Sequence, residues 1–198
     1  MELDLEEVHM EKTKKSPFLQ SAIIGIKLLL ICAIVAAVVA FVYELTLETA
    51  NANIEKTKSE KISEIFGIEG LTLEELSEED GTVVYAVTDS DRKPVGYCAE
   101  TASPGFGGDI SILVGYNEKT EIVGVRIVSM SETPGLGSKI DDPEGHLKNY
   151  VGKLGVLELN EDVDAISGAT ISSTALMDGV NQATKALQKV LGAEGGAQ

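Results

Sequence analysis

The pattern of apolar and polar positions changes along the chain, and its first long feature is an apolar run. Residues 22–42 read AIIGIKLLLICAIVAAVVAFV, with Lys27 as the only charge. A helix of this length rises roughly 31 Å, which matches the hydrocarbon core of a bilayer. The run is longer than the apolar region of a typical signal peptide, and no small-residue cleavage site follows it. The pattern therefore predicts a retained transmembrane helix at 22–42, after an N-terminal segment at 1–21.

Basic residues flank this run unequally. Lys12, Lys14, Lys15 and Lys27 lie toward its N-terminal side, whereas Lys56 is the first basic residue after it. Membrane proteins keep the more basic flank of a span in the cytoplasm. The sequence therefore predicts a single-pass topology, with the N-terminus in the cytoplasm and the rest of the chain on the other side of the membrane.

Residues 43–79 are polar and contain two different patterns. From 44 to 66 the chain lacks Pro and Gly and mixes both signs of charge with isoleucines, so a helix is predicted to continue from the membrane and to end at Gly67. The stretch GLTLEELSEEDG at 70–81 is interpreted as an acidic loop or short helix. It lacks the DxDxDG pattern of a calcium loop, which favours a solvated face over a metal site. Together the two patterns predict a helical stalk and an acidic linker.

Beyond residue 80 the pattern becomes β-rich, with β-branched residues in short segments that turn sequences such as SDRK and NEKT separate. The segments are 82–89, 94–102, 109–116 and 121–130. Short connections favour antiparallel neighbours, because parallel strands need long crossovers. The sequence predicts an α+β fold: one N-terminal transmembrane helix followed by an extracytoplasmic domain with a mainly antiparallel sheet and flanking helices.

Two helices are predicted after the strands. One lies around 143–152. The other runs over 171–191 and ends at Gly192, because its apolar residues recur at the spacing of one helical face. Those residues are Leu176, Val180, Ala183, Leu187, Val190 and Leu191. The domain built from these strands and helices is predicted to span 80–192, and AEGGAQ at 193–198 is predicted to be a flexible tail.

Composition narrows the possible functions. The formal net charge of −16 argues against nucleic-acid binding, which needs a positive face toward the phosphates. Cys32 and Cys98 fall in different regions, as do His9 and His146, so no disulfide, no Cys/His metal site and no histidine-based triad is expected. Packing is the simplest interpretation of both cysteines. Any redox chemistry would therefore need an organic cofactor.

The stretch DVDAISGATISSTALM at 162–177 places a cluster of hydroxyls where the last helix is predicted to begin. The N-terminus of a helix presents unpaired N–H groups and a partial positive charge, so SGAT at 167–170 with Ser172, Ser173 and Thr174 suits a phosphate. The same residues also suit a plain N-cap, since Ser and Thr are preferred there. The residue pattern alone leaves both interpretations open, with the N-cap slightly favoured.

Two glycine-rich stretches, SPGFGGDI at 103–110 and SETPGLGSKI at 131–140, would each be interpreted as turns in isolation. Neither matches a nucleotide P-loop, and the chain lacks the alternation of a Rossmann fold. In the order GFGGDI, SETPGLG and DAISGATISS, behind a single span, the motifs resemble the covalent FMN-binding subunits of membrane redox complexes. These are the G subunit of Rnf electron-transport complexes, which the chain length favours, and the related NqrC subunit of the sodium-pumping quinone reductase. The resemblance covers the span and most of 80–191.

The resemblance implies that FMN is joined through its phosphate to the hydroxyl of Thr170, the threonine of SGAT. It also implies a dedicated flavin transferase that attaches the cofactor outside the cytoplasm, with FAD as donor and AMP as the released product. The implied cofactor-binding residues come from all three motifs: Gly105, Phe106, Gly107, Glu132, Thr133, Gly135, Leu136, Gly137, Ser167, Gly168, Ala169, Ser172 and Ser173. Backbone N–H groups of the ETPGLG loop and the Thr133 hydroxyl would contact the flavin, and Leu136 would cover a ring face. Phe106 stands where the family commonly has Tyr.

The function that the resemblance implies is an electron relay. The chain would be a one-span flavoprotein of the bacterial inner membrane. It would work with other subunits of an Rnf-type complex, which couples electron transfer between ferredoxin and NAD to the translocation of Na⁺ or H⁺. The polypeptide would supply no general acid, base or nucleophile, only binding and tuning of the flavin. Two alternatives stay open: a membrane-anchored extracytoplasmic interaction domain without a cofactor, and a stand-alone extracytoplasmic flavin reductase.

Overall fold

The computed structural model describes residues 17–195. The predicted N-terminal segment at 1–21 and the predicted tail at 193–198 therefore lie partly outside the described residues. The chain divides into two compact units, one ending at Asn51 and the other beginning at Ala52. All of the residues predicted to bind a cofactor belong to the second unit.

Helix α1 covers Pro17–Phe66. Within it, Ser21–Leu47 is long and apolar enough to cross a membrane, and none of the side chains of its most apolar stretch is buried. The predicted span lies inside this segment. The helix then continues through the predicted stalk and ends where Gly67 takes a left-handed φ of 66° and donates its N–H to the Ser63 carbonyl at 2.8 Å. A helix that continues to residue 66 and ends at Gly67 is thus observed, as the sequence pattern predicts.

Five strands form one antiparallel sheet in the order β1-β2-β3-β4-β5. They are β1 (Thr72–Glu79), β2 (Thr82–Thr88), β3 (Pro94–Pro104), β4 (Asp109–Tyr116) and β5 (Ile122–Ser129). Consecutive strands pair throughout, so the sheet is the meander that the short connections predict. The four predicted strands correspond to β2 through β5. The α+β class, with an antiparallel sheet and flanking helices, is confirmed.

The prediction of a loop or short helix at 70–81 is wrong, because Thr72–Glu79 forms the edge strand β1. Asp80 and Gly81 have positive φ values of 50° and 74° and join β1 directly to β2 as a two-residue hairpin turn. An Asp-Gly pair is a hairpin signal, but the acidic composition around it points toward a loop. Charges are tolerated on an edge strand, where they face water and discourage pairing with other chains.

Helices cover both faces of the sheet. One face packs against α2, which covers Thr170–Gly195. This main core includes residues of the strands and of α2 that are fully buried: Val84, Ile112, Val114, Tyr116, Leu176, Val180 and Leu187. On the other face, Ile62 and Ile65 from the end of α1 form a smaller cluster with Cys98 and Leu113. Burial along α2 fixes this helix against the sheet and thereby fixes its first turn, which carries the hydroxyl cluster.

Two details of the predicted helices are wrong. The segment around 143–152 contains a short 3-10 helix at Leu147–Tyr150 rather than an α-helix, and another 3-10 helix precedes it at Gly137–Ile140. In the 3-10 helix at Leu147–Tyr150, both end residues are buried. This geometry allows it, because residues three apart in a 3-10 helix lie on the same side. Helix α2 continues through Gly192 to Gly195, so Gly192 does not end it and the first residues of the predicted tail are helical.

Candidate functional site

The first turn of α2 is held in place by the backbone just before it. Gly168 has a φ of 82°, and the Ala169 N–H donates to the Ile166 carbonyl at 2.9 Å, which closes a tight turn. The Ser173 hydroxyl accepts a hydrogen bond from the Ile166 N–H at 3.0 Å, and the Ser173 N–H donates to the Ala169 carbonyl at 2.9 Å. The helix therefore begins at Thr170, and Ala169 is its N-cap residue.

This arrangement argues against the plain N-cap interpretation. A capping side chain satisfies an N–H group of the first turn with its oxygen, and Ala169 has no side-chain oxygen. Within the described part of the chain, no acceptor meets the N–H groups of Thr170, Ile171 or Ser172. Three unpaired N–H groups at the positive end of the helix dipole form a site that suits an anion such as phosphate.

The hydroxyls of the first helical turn differ in their partners. Ser172 donates to Glu132, and Thr174 donates to the Thr170 carbonyl at 2.9 Å. Ser173 is fully buried and engaged with the backbone of the preceding turn. Thr170 is exposed, and none of the residues from 17 to 195 forms a hydrogen bond with its hydroxyl. On this turn, Thr170 is therefore the residue whose hydroxyl is accessible and free.

Glu132 is a buried carboxylate at the centre of the site, with 8% of its surface exposed. Its Oε1 accepts hydrogen bonds from the N–H groups of Phe106 at 2.8 Å and Gly107 at 3.2 Å, and its Oε2 accepts from Ser172 Oγ at 2.7 Å. Burial raises the pKa of this carboxyl, but the hydrogen bonds from Ser172 and from the two N–H groups outweigh burial and lower the pKa below its ordinary value. Glu132 is therefore ionised at neutral pH, and it joins the GFGG loop to the first turn of α2.

Three glycines make room for this arrangement. A Cβ added to Gly105 would lie 2.3 Å from Oε1 of Glu132, and a Cβ added to Gly137 would lie 2.4 Å from its Oε2. A Cβ on Gly107 would lie 2.1 Å from the Ser131 carbonyl oxygen. The two loops are therefore glycine-rich at these positions because they pack onto each other and around the Glu132 carboxylate.

The turn at 133–138 uses several of its own N–H groups internally. The N–H groups of Leu136 and Ser138 both donate to the Thr133 carbonyl, at 3.1 Å and 3.2 Å. The Gly135 N–H donates to the Ser138 hydroxyl at 2.8 Å. These N–H groups of the turn are thus already paired, and the side chains of Thr133 and Leu136 line the neighbouring cavity.

A cavity of about 260 Å³ opens where the three motifs meet. Its lining comprises Phe106, Glu132, Thr133, Leu136, Gly137, Gly168, Ala169, Thr170, Ile171 and Ser172. Three of its apolar side chains are highly exposed: Phe106 at 70%, Ile171 at 57% and Leu136 at 43%. A Cβ on Gly168 would lie 3.1 Å from Cδ1 of Leu136, so this loop closely approaches the turn before α2. The cavity is therefore a largely apolar site beside the unpaired N–H groups of the helix.

Most of the residues predicted to bind a cofactor meet at this cavity. The predicted residues that do not line it are Gly105, Gly107, Gly135, Ser167 and Ser173. Gly105 and Gly107 lie in the loop that Glu132 holds, and Ser173 holds the turn before the helix. Ile171 lines the cavity but is not among the predicted residues. Its position between Thr170 and Ser172, two predicted residues, is the signal that could have identified it.

Known proteins support the interpretation of these motifs. The sequence profile of the FMN-binding domain family matches residues 105–185, which contain all three motifs. The G subunit of the ion-translocating oxidoreductase complex of Methanosarcina acetivorans is 33% identical over 168 residues, which are 80% of this chain and 89% of that protein. The chain belongs to this family of G subunits. The resemblance that the motifs suggest is thereby confirmed.

Other G subunits match a shorter part of the chain. That of Shewanella oneidensis is 35% identical over 121 residues, 56% of this chain and 57% of that protein. The G subunit of the Na(+)-translocating ferredoxin:NAD(+) oxidoreductase complex of Acetobacterium woodii is 30% identical over 112 residues, 51% of this chain and 53% of that protein. The match thus spans little more than half the length of these two relatives.

A solved structure shares the fold of this chain. The C subunit of the Na(+)-translocating NADH-quinone reductase from Parabacteroides distasonis superimposes with a TM-score of 0.56 at 18% sequence identity. The match covers 74% of this chain and 96% of that chain. The similarity shows a common α+β fold.

Proposed function

We propose that this chain is a membrane-anchored flavoprotein that carries FMN covalently on Thr170 and relays electrons within an ion-translocating oxidoreductase complex. The observation that carries the proposal is the Thr170 hydroxyl, which is exposed and free on the first turn of α2 beside an apolar cavity. Membership of the G-subunit family and the match to the FMN-binding domain support FMN as the cofactor.

The residues at the cavity fit both ends of FMN. The unpaired N–H groups of the first turn suit the phosphate, and they provide a positive potential although none of the lining residues is basic. Phe106, Leu136 and Ile171 offer apolar surface to the ring system, and Thr133 adds a hydroxyl. The Glu132 carboxylate already accepts three hydrogen bonds from the protein itself. The site therefore suits an anionic ligand with an aromatic part, despite the acidic chain around it.

Each part of the chain has a separate task in this proposal. Bound FMN supplies the redox chemistry, so the polypeptide needs no acid, base or nucleophile for electron transfer. Thr170 would hold the phosphate as an ester, the N–H groups of the first turn would stabilise its charge, and Leu136 and Phe106 would shield the ring from water. A covalent tether keeps the cofactor in place in a compartment where free FMN would diffuse away.

Attachment requires a partner enzyme in this proposal. A threonine hydroxyl is a poor nucleophile without a base, and none of the lining residues is a histidine. With FAD as donor, a bond forms between Thr170 Oγ1 and the phosphorus of the FMN half, while the pyrophosphate P–O bond breaks. The hydroxyl proton is released, and AMP leaves with the bridging oxygen. The exposure of Thr170 suits this step, because a flavin transferase must reach the hydroxyl.

The proposal also includes a topology and partners. The basic flank of the apolar segment Ser21–Leu47 predicts a cytoplasmic N-terminus, which would place Thr170 outside the cytoplasm. Other subunits of the complex would donate and accept the electrons. The Acetobacterium woodii relative is named for Na⁺ translocation and for ferredoxin:NAD⁺ oxidoreduction. We propose the same class of reaction here, with Na⁺ or H⁺ as the coupling ion.

Thr170→Ala tests the attachment. The chain is co-expressed with a flavin transferase and denatured, and its flavin fluorescence is then measured in the gel. We expect the wild-type chain to fluoresce and Thr170→Ala to lose the signal. Thr174→Ala is the matched control, because it removes a neighbouring hydroxyl whose hydrogen bond stays within the helix. This control should retain the fluorescence.

Three outcomes would contradict the proposal at different levels. A fluorescent Thr170→Ala chain would show that another residue carries the flavin. A wild-type chain that is colourless after purification from its native membrane would favour an interaction domain without a cofactor. A flavin-loaded chain that purifies without polytopic partner subunits would favour a stand-alone flavin reductase over an electron relay.

A further inference from the structure

Glu132 combines properties that the attachment of FMN does not require. Its carboxylate is buried and ionised, and it accepts hydrogen bonds from two other segments of the chain, through Phe106, Gly107 and Ser172. None of these donors carries a charge. Among the ion pairs of the described residues, none includes Glu132. The negative charge is therefore hydrogen bonded but not neutralised, and it lines the same cavity as Thr170.

A neutral side chain would make the same hydrogen bonds at a lower cost. Glutamine has the length of glutamate. Its carbonyl oxygen can accept from the N–H groups of Phe106 and Gly107, and its amide can donate to the Ser172 hydroxyl. Burying a charge costs more free energy than burying an amide. Hydrogen bonding alone therefore does not explain a carboxylate at this position, and the charge needs a separate explanation.

We propose that Glu132 is a positioning residue whose carboxylate fixes the GFGG loop to the first turn of α2 and whose charge lowers the reduction potential of a flavin held at Thr170. This inference rests on the proposed function. Reduction adds negative charge to a flavin, and a fixed negative charge in the cavity wall disfavours that change. Water and salt screen a buried charge poorly, so the charge of Glu132 can act on the reduction potential across the cavity.

Glu132→Gln separates the charge from the hydrogen bonds. Full-length wild-type and variant chains, each loaded by a co-expressed flavin transferase, are compared by redox titration of the flavin absorbance. We expect the midpoint potential of Glu132→Gln to shift to more positive values. Glu118→Gln is the matched control, because it removes the same charge at an exposed position in the turn between β4 and β5. This control should keep the wild-type potential.

Glu132→Ala tests the fixation of the loop. This change removes the acceptors for Phe106, Gly107 and Ser172. We expect a smaller fraction of Glu132→Ala than of Glu132→Gln to carry flavin, measured as fluorescence per amount of chain in a denaturing gel. Ser172→Ala provides a second measurement if Glu132→Ala does not fold. It breaks only the bond to α2 and keeps the charge, so loading should fall without the positive shift in potential.

Each result has a distinct consequence. An unchanged potential in Glu132→Gln, within the range of the Glu118→Gln control, would overturn the charge effect. Loss of flavin from a folded Glu132→Gln chain would also overturn the inference, because the bonds that glutamine keeps would then not suffice to hold the loop. Equal loading of Glu132→Ala and Glu132→Gln would overturn the fixation. A wild-type chain without flavin contradicts the proposed function itself, and this is seen before any variant is compared.

Discussion

At the scale of single residues, the buried polar groups of the second unit differ in how well they are satisfied. Glu132 has three hydrogen-bond donors around its carboxylate. In contrast, Oδ1 of Asp141, Nε2 of His146 and the hydroxyl of Tyr150 are buried without a partner among the described residues. A buried polar atom without a partner costs free energy of folding. These unpaired groups therefore lower the stability of the segment 141–150.

His146 should make the stability of the folded chain depend on pH. Burial lowers the pKa of its imidazole, although the nearby Asp142 carboxylate partly offsets this effect. In the unfolded chain the imidazole takes up a proton near the ordinary pKa of about 6.5, whereas the folded chain resists protonation. The unfolded state then binds more protons below that pH. We therefore expect the His146 contribution to leave stability unchanged above about pH 6.5 and to reduce it progressively below.

His146→Phe removes the titrating group and keeps a ring beside Tyr150, whose ring centre lies 5.9 Å away. In thermal unfolding of the detergent-solubilised chain, this variant should lose less stability than the wild type between about pH 7.5 and pH 5.5. Glu132 does not contribute in this window, because its lowered pKa keeps it ionised. His9→Phe, which changes the chain's other histidine, is the control and should behave as the wild type. Identical pH dependence in the wild type and His146→Phe would contradict this explanation.

The position of Thr170 is predictable from the sequence because its cause is local. SGAT comes directly before the amphipathic pattern that predicts a helix from residue 171, and the helix begins one residue earlier, at Thr170. The partners of Glu132 are not predictable in this way. The N–H groups of Phe106 and Gly107 lie 26 and 25 residues earlier in the chain, and only the folded sheet brings them to the carboxylate. The burial of Ser173 likewise depends on tertiary packing that a run of hydroxyls does not encode.

At the scale of elements, the contact between the end of α1 and the sheet depends on two glycines. Gly115 of β4 and Gly124 of β5 are register partners on adjacent strands. A Cβ on Gly115 would lie 2.3 Å from Cγ2 of Ile65, and a Cβ on Gly124 would lie 3.2 Å from the same atom. The two glycines therefore form a depression in the sheet that receives Ile65, of which only 8% is exposed.

Gly115→Ala and Ile65→Ala should each destabilise the fold, for opposite reasons. Gly115→Ala overfills the contact, at a cost of about 1–3 kcal/mol. Ile65→Ala leaves a cavity, at a cost of about 2–5 kcal/mol. In the double variant the added methyl group occupies space that Ile65 has left, so its loss of stability should be smaller than the sum of the two single losses. Chemical unfolding of the solubilised full-length chain measures all three values.

Gly192→Ala is the control for these variants, because Gly192 lies in helix α2 and the added Cβ would approach no other part of the described chain within 4 Å. It should not destabilise the chain, since alanine favours a helix more than glycine does. Strictly additive losses in the double variant would show that residues 65 and 115 do not act on each other through a shared contact.

The predictability of the strands varies with how much each depends on its neighbours. Strands β2 to β5 contain β-branched residues in short runs between turn sequences, and their own composition indicates them. Strand β1 is rich in glutamate, and its pairing with β2 across the Asp80-Gly81 turn decides its conformation. The same holds for the 3-10 helix at Leu147–Tyr150, whose form follows from burial of both end residues rather than from helix propensity.

At the scale of the whole molecule, the proposed function depends on which side of the membrane holds Thr170. Three lysines lie at positions 12 to 15, before the apolar segment Ser21–Leu47, whereas Glu48 follows that segment directly and Lys56 is the first basic residue after it. The positive-inside rule then assigns the N-terminus to the cytoplasm. This predicted orientation decides whether a flavin transferase outside the cytoplasm can reach Thr170.

The two native cysteines leave the chain suitable for a thiol-labelling test of orientation. Cys98 is fully buried in the sheet, and burial raises the pKa of its thiol to about 12, so little reactive thiolate is present at neutral pH. Cys32 lies within the apolar segment of α1. A membrane-impermeant maleimide added to intact spheroplasts should therefore leave the wild-type chain unlabelled.

Glu118→Cys and Lys14→Cys then report the two sides of the membrane. Glu118 is exposed in the turn between β4 and β5, and Lys14 precedes the apolar segment. In the predicted orientation the maleimide labels Glu118→Cys in intact spheroplasts, whereas it labels Lys14→Cys only after lysis. The reverse pattern would place Thr170 in the cytoplasm, out of reach of a flavin transferase that works outside it. In the proposal, attachment needs that enzyme. A reversed chain that nevertheless carried flavin on Thr170 would therefore contradict the proposed route of attachment. It would not contradict FMN as the cofactor.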